Sequence, residues 1–134
     1  MSNPNLLVYI VGPYRAPTPE GVQDNIRRAR EWAAAVAEAG YMPVCPHALT
    51  VGMDRLQPDE FWLAGTLELM RRCDAVLLTP GWNRSAGSRS EATEARTLNL
   101  WIADAHNMDP SRMPAALLEA LPFARAARLG PNPA

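Results

Sequence analysis

Leu6-Leu7-Val8-Tyr9-Ile10-Val11 is an unbroken apolar run, stopped by Gly12-Pro13. Alternating polarity would mark a strand with one wet face, whereas continuity marks a strand covered on both. Such a strand belongs in a parallel sheet with helices on either side, which leaves little room for all-helical or antiparallel folds. A chain of 134 residues is long enough for one domain of this kind and too short for two.

The remaining punctuation agrees. Thr18 can cap a helix and Pro19 suits its first position; Val22, Ile26, Ala29, Ala33 and Val36 recur at helical spacing until Gly40. Tyr41 to Cys45 reads as a second strand, with Pro43 placing it at an edge or a strand start. A loop is expected from Pro46 to about Pro58, then a helix from Asp59 to Arg72 and a third strand, Ala75 to Thr79, stopped by Pro80-Gly81. A helix from about Ser88 to Leu98, a fourth strand from Leu100 to Ala103 and a helix from Asp109 to Leu121 follow. The expectation is an α/β, Rossmann-like or flavodoxin-like three-layer sandwich with a parallel sheet of four to five strands. The domain spans 1–121, and 122–134, rich in proline, read as a tail.

In open parallel sheets a ligand sits outside the carboxyl ends of the strands. Three loops leave those ends: Gly12-Pro13-Tyr14-Arg15, Pro46-His47, and Pro80 to Ser88. Composition narrows what they can hold. Every cationic side chain is Arg, so Schiff-base chemistry and a P-loop lysine are excluded. A formal net charge of −1 argues against duplex nucleic acid as partner but not against a single nucleotide. Two cysteines and two histidines, widely scattered, make a poor metal site, and neither a metal nor a cofactor is expected. With no leader or membrane-span pattern, and with thiols that read as buried and reduced, the expected setting is cytoplasmic.

Each candidate carries a plain reading beside the functional one. Gly12 either lets a ligand approach or makes a simple turn with Pro13. Arg15 grips an anion or is solvated, and His47 contacts substrate or holds structure. Trp82 walls a pocket and stacks on a planar base, or anchors its loop to the core. Ser85, Gly87 and Ser88 offer hydroxyls and approachable backbone N–H groups near a helix start, a setting that suits an anion. Yet Pro80 to Ala92, PGWNRSAGSRSEA, delivers a carboxylate there, Glu91. Ser88-Arg-Ser-Glu91 fits a capping box, in which Glu91 folds back on the backbone. Alternatively the helix dipole keeps Glu91 ionised at the mouth of the crevice, where it is a nucleophile or a stabiliser of positive charge.

Tyr9-Ile-Val-Gly12-Pro13-Tyr14-Arg15, Asn25, Pro46-His47, Cys73-Asp74 and Ser85-x-Gly87-x-x-x-Glu91, in this order and spacing, resemble the nucleoside 2-deoxyribosyltransferase superfamily. They are similar also to the deoxynucleoside 5'-monophosphate N-glycosidases, and the resemblance runs from Leu6 to Ile102. It implies that Glu91 attacks the anomeric carbon of a nucleoside or nucleotide while Tyr9 holds its carboxylate. It implies further that the Gly12–Arg15 loop lines the sugar and base pocket. Thr66 falls at a sugar-contacting position where the family usually has Asp or Asn. Ser85 stands where the monophosphate hydrolases have Ser and the transferases Asp, which favours a 5'-phosphate. A homodimer or larger homo-oligomer is implied too, since family members complete the pocket from a neighbouring subunit. The function expected is cleavage of an N-glycosidic bond, by hydrolysis or base exchange; the alternative is a nucleotide-binding or sensing module without turnover.

Overall fold

The computed structural model describes residues 3–110, with the side chains of Asn3 and Pro4 left aside. The elements run β1 (Asn3–Val11), α1 (Pro19–Glu38), β2 (Tyr41–Val44), α2 (Pro46–Leu49), α3 (Asp59–Arg71), β3 (Ala75–Leu78), α4 (Ala86–Thr97) and β4 (Trp101–Asp104). Short 3-10 turns at Asp54–Leu56 and Trp82–Arg84 lie between them. The expected helix from Asp109 and the tail fall outside the described residues beyond Pro110.

The four described strands form one parallel sheet in the order β2-β1-β3-β4. β1 is interior, and Val8 to Val11 are wholly buried, as the unbroken apolar run requires. Burying one such side chain stabilises by roughly 1.5–3 kcal/mol, so this strand is the main apolar contribution to the sheet. β2, with its Pro43, is an edge strand.

The two faces of β1 feed separate cores. Leu6, Val8 and Ile10 pack with Ala29, Trp32 and Val36 of α1, together with Ala75, Leu77 and Ala103. Tyr9 and Val11 pack with Met70 of α3, Ala92 and Ala95 of α4, Val76 and Leu78. Helices therefore cover both faces, and the α/β sandwich is the architecture observed.

Local chemistry sets the boundaries. The Thr18 hydroxyl caps α1 by accepting from Gly21 N at 3.0 Å, ahead of Pro19 at the first helical position. After β3, Pro80 and Gly81 (φ 87°) make a type II turn closed by Trp82 N donating to Thr79 O at 3.1 Å. Helix α4 ends in a Schellman motif: Leu100 N donates to Ala95 O and Asn99 N to Arg96 O, with Asn99 left-handed at φ 56°.

Two boundaries depart from expectation. The segment after β2 is not all loop, because Pro46 starts the short helix α2. Helix α4 begins before Ser88: Ser85 has extended backbone and its Oγ accepts from Ser88 N at 3.3 Å. Ser85 is the N-cap, Ser88 lies inside the first turn, and the Ser88/Glu91 capping box does not form. Among the described residues no helix is long and apolar enough to cross a membrane.

Candidate functional site

Tyr9 enters from β1 and Glu91 from the second turn of α4, both toward the α3/α4 face. The Tyr9 hydroxyl donates to Glu91 Oε2, and both groups are buried. Thr66, from α3, lies near the Tyr9 hydroxyl and acts to lower its pKa, while its own Oγ1 donates to Leu63 O at 3.2 Å. Tyr9, Glu91 and Thr66, contributed by three elements, thus lie close together.

The charge state differs from the sequence expectation. Glu91 is 9% exposed, and burial pushes its carboxyl up from 4.5 to about 7, against a smaller opposing effect from the Tyr9 hydrogen bond. A helix dipole acts mainly over the first turn, and Glu91 stands one turn too deep to be held ionised by it. The result is a carboxyl poised near neutrality. Burial, and then the Glu91 charge, raise the Tyr9 phenol far above its ordinary value, so Tyr9 is a donor and never a phenolate.

The first loop is held by its neighbours. His47 Nε2 lies 3.1 Å from Gly12 O and 2.9 Å from Pro13 O. Both are acceptors, so Nε2 carries the proton and Nδ1 is a bare, buried acceptor without a partner. Burial lowers the His47 pKa, outweighing the two carbonyl contacts that pull the other way. Tyr14 stacks edge-on to His47 and donates to Asp54 Oδ2 at 2.8 Å. Desolvation, then that carboxylate, pushes its phenol up to about 12. Asn25 Nδ2 donates to Tyr14 O at 3.0 Å, and Arg15 pairs with Asp59 at the surface. Arg15 is thereby engaged within the protein, by an exposed pair of the kind that contributes little.

Gly12 has a role that its sequence context did not reveal. A Cβ at this position would collide with the Thr79 hydroxyl, which donates to Val11 O at 2.8 Å. The space beside Gly12 is therefore filled by Thr79, a residue absent from the sequence candidates. Only the pairing of β1 with β3, Val11 opposite Leu78, makes the two neighbours.

In the third loop Trp82 acts as an anchor. Its ring packs against the α3/α4 core, its Nε1 donates to Asp104 Oδ1 at 3.3 Å, and the Arg96 guanidinium lies 5.9 Å from the ring centroid. The Ser85 hydroxyl is used as the cap. The Ser88 hydroxyl is buried at 1% exposure with no partner. At Gly87 a side chain would meet open space. Glu94, in the same helix, pairs with Arg71 at 3.0 Å.

Two concavities adjoin these residues. A groove of about 170 Å³ runs between α2 and α3, bounded by Pro46, Leu49, Phe61, Trp62, Leu69 and Thr66. Thr66, in its lining, lies near Tyr9. A larger cavity of about 540 Å³ opens where β1 and β3 diverge, touching Gly12, Pro13, Thr79 and Pro80 on the α1 side. The cluster can accept, hold and return a proton, and in its ionised form it presents one carboxylate oriented by a phenol. No three His, Cys, Asp or Glu residues gather into a metal-binding group among the described residues.

Comparison with curated proteins gives no match. A family whose description reads "Domain of unknown function (DUF7768)" matches residues 6–105, from the first strand through the end of the fourth. That stretch contains Tyr9, Thr66 and Glu91, β1 from Leu6 onward and β2 to β4, and the chain belongs to the DUF7768 family.

Proposed function

We propose that the protein cleaves the N-glycosidic bond of a nucleotide or nucleoside, as a hydrolase or a base-exchange transferase, with Glu91 as nucleophile. The observation that carries this reading is the buried Tyr9–Glu91 hydrogen bond, with Thr66 beside it at the edge of an apolar groove. Glu91 bonds to the anomeric carbon as the bond from that carbon to the base nitrogen breaks. The oxocarbenium character of the transition state is stabilised by the adjacent carboxylate. Water then hydrolyses the ester, or a second base displaces Glu91. Tyr9 orients the attacking oxygen. Phe61 and Trp62, in contact edge-to-face at 5.1 Å, give the groove an aromatic side suited to a planar base.

The readout is release of free base from a panel of nucleosides and nucleoside 5'-monophosphates, separated by chromatography, with and without an added second base. Glu91→Gln and Glu91→Ala are expected to abolish release while leaving the circular dichroism spectrum intact. Near-normal turnover in either folded variant would overturn the assignment.

A non-catalytic nucleotide-binding module is the second reading, favoured by the burial of Glu91, which borders neither cavity directly. Under it, ligand binds and is recovered unchanged. A homodimer or larger assembly is part of the main proposal. Leu49 and Phe61 line the groove and are exposed, and a second copy covering them would close it. The buried thiols of Cys45 and Cys73 fit a reducing, cytoplasmic setting.

A further inference from the structure

We infer that the larger cavity is a second binding site, for a small phosphorylated molecule held by Arg28 and Arg84 on the face of the sheet opposite Glu91. The inference does not rest on the glycosidase reading. The strand order β2-β1-β3-β4 makes the β1/β3 boundary the point where chain direction across the sheet reverses. β1 feeds α1 on one face and β3 feeds α4 on the other, so their exits part and leave a crevice there. Its volume of about 540 Å³ falls within the usual range for small-molecule sites.

The lining is suited to an anion. Arg27 is already neutralised by Asp24 and Glu31, at 3.5 and 3.0 Å. Asp109 also borders the cavity and has a partner of its own. Arg28 and Arg84 remain, from α1 and from the turn after β3, and neither makes an ion pair or a side-chain hydrogen bond among the described residues. Trp32, only 3% exposed, also lines the cavity. Two guanidinium groups match a phosphate monoester better than a neutral ligand. The odd and even residues of β1 point to opposite faces, so this cavity and the Tyr9–Glu91 cluster do not share a wall of side chains.

The test is isothermal titration of the full chain at low ionic strength with inorganic phosphate and with glycerol 3-phosphate. Saturable binding that weakens with added salt is expected. Arg28→Ala and Arg84→Ala, both at exposed positions, should each weaken it at least tenfold. Glu91→Gln and Ser85→Ala should leave it unchanged. Absence of saturable binding overturns the site. Binding indifferent to both arginines means an adventitious ion only. Loss of binding in Glu91→Gln or Ser85→Ala places the anion across the sheet and refutes the inference, whatever the fate of base release.

Discussion

Tyr9 and Glu91, 82 positions apart, meet in a buried hydrogen bond that joins the interior strand to the second turn of α4. Tyr9→Phe removes the donor and, with it, the influence that holds the Glu91 pKa down. The carboxyl should then titrate above its present value of about 7, and the pH profile of base release should move to the alkaline side. Hydrogen bonds to charged groups contribute about 1.5–3 kcal/mol, so kcat/KM should fall on the order of ten- to a hundredfold. Steady-state rates from pH 5 to 9 check both statements, and an unshifted profile would separate Tyr9 from Glu91.

Stability should carry the same signature. Glu91 is raised from 4.5 to about 7 on folding, so the native state holds its proton more tightly than the unfolded chain. That contribution is complete below 4.5 and is lost as pH rises through 7, a shift worth about 3 kcal/mol. His47 runs the other way: its lowered pKa stabilises above 6.5 and that support is lost as pH falls. Urea unfolding from pH 5 to 8 is expected to show Glu91→Gln with a flatter alkaline limb than the parent. A limb unchanged by the substitution would contradict the raised carboxyl.

Gly12→Ala should destabilise by about 1–3 kcal/mol, because the new methyl meets Thr79 in a packed setting. Thr79→Ala alone costs about 1 kcal/mol, since Val11 O still accepts from Thr79 N at 2.9 Å. The double variant should be more stable than the sum of the two, measured as a cycle of unfolding free energies. Strict additivity would show that Gly12 is required for something other than Thr79.

Ser85 and Ser88 should behave oppositely despite their shared chemistry. Ser85→Ala removes the α4 cap and costs about 1 kcal/mol. Ser88→Ala removes a buried hydroxyl with no partner and should be neutral or slightly stabilising. Thermal unfolding of the two variants decides it; the reverse order would restore the capping box at Ser88.

The parts of this fold that announce themselves in the sequence are those set by one local effect. Continuous burial of Val8 to Val11, the Thr18-Pro19 start of α1 and Pro43 on an edge strand each follow from a residue's own geometry. Where two local solutions competed, pattern was insufficient. Ser88-x-x-Glu91 fits the capping-box spacing as well as Ser85 fits a simple cap, and the choice depends on where the chain leaves the 3-10 turn at Trp82–Arg84. The charge state of Glu91 and the partner of Gly12 arise from contacts between distant segments: α4 against β1, and β1 against β3. The residues of the cluster were legible, while the protonation of its carboxyl required the desolvation that only packing supplies.

β1 works as a partition, with its two sets of side chains turned toward separate chambers. Drift in one chamber can therefore proceed without disturbing the other, so long as the dividing strand keeps its alternation. Insertion or deletion of a single residue in Leu6–Val11 would exchange the occupants of both sides at once, which makes this short hexapeptide the least editable part of the chain.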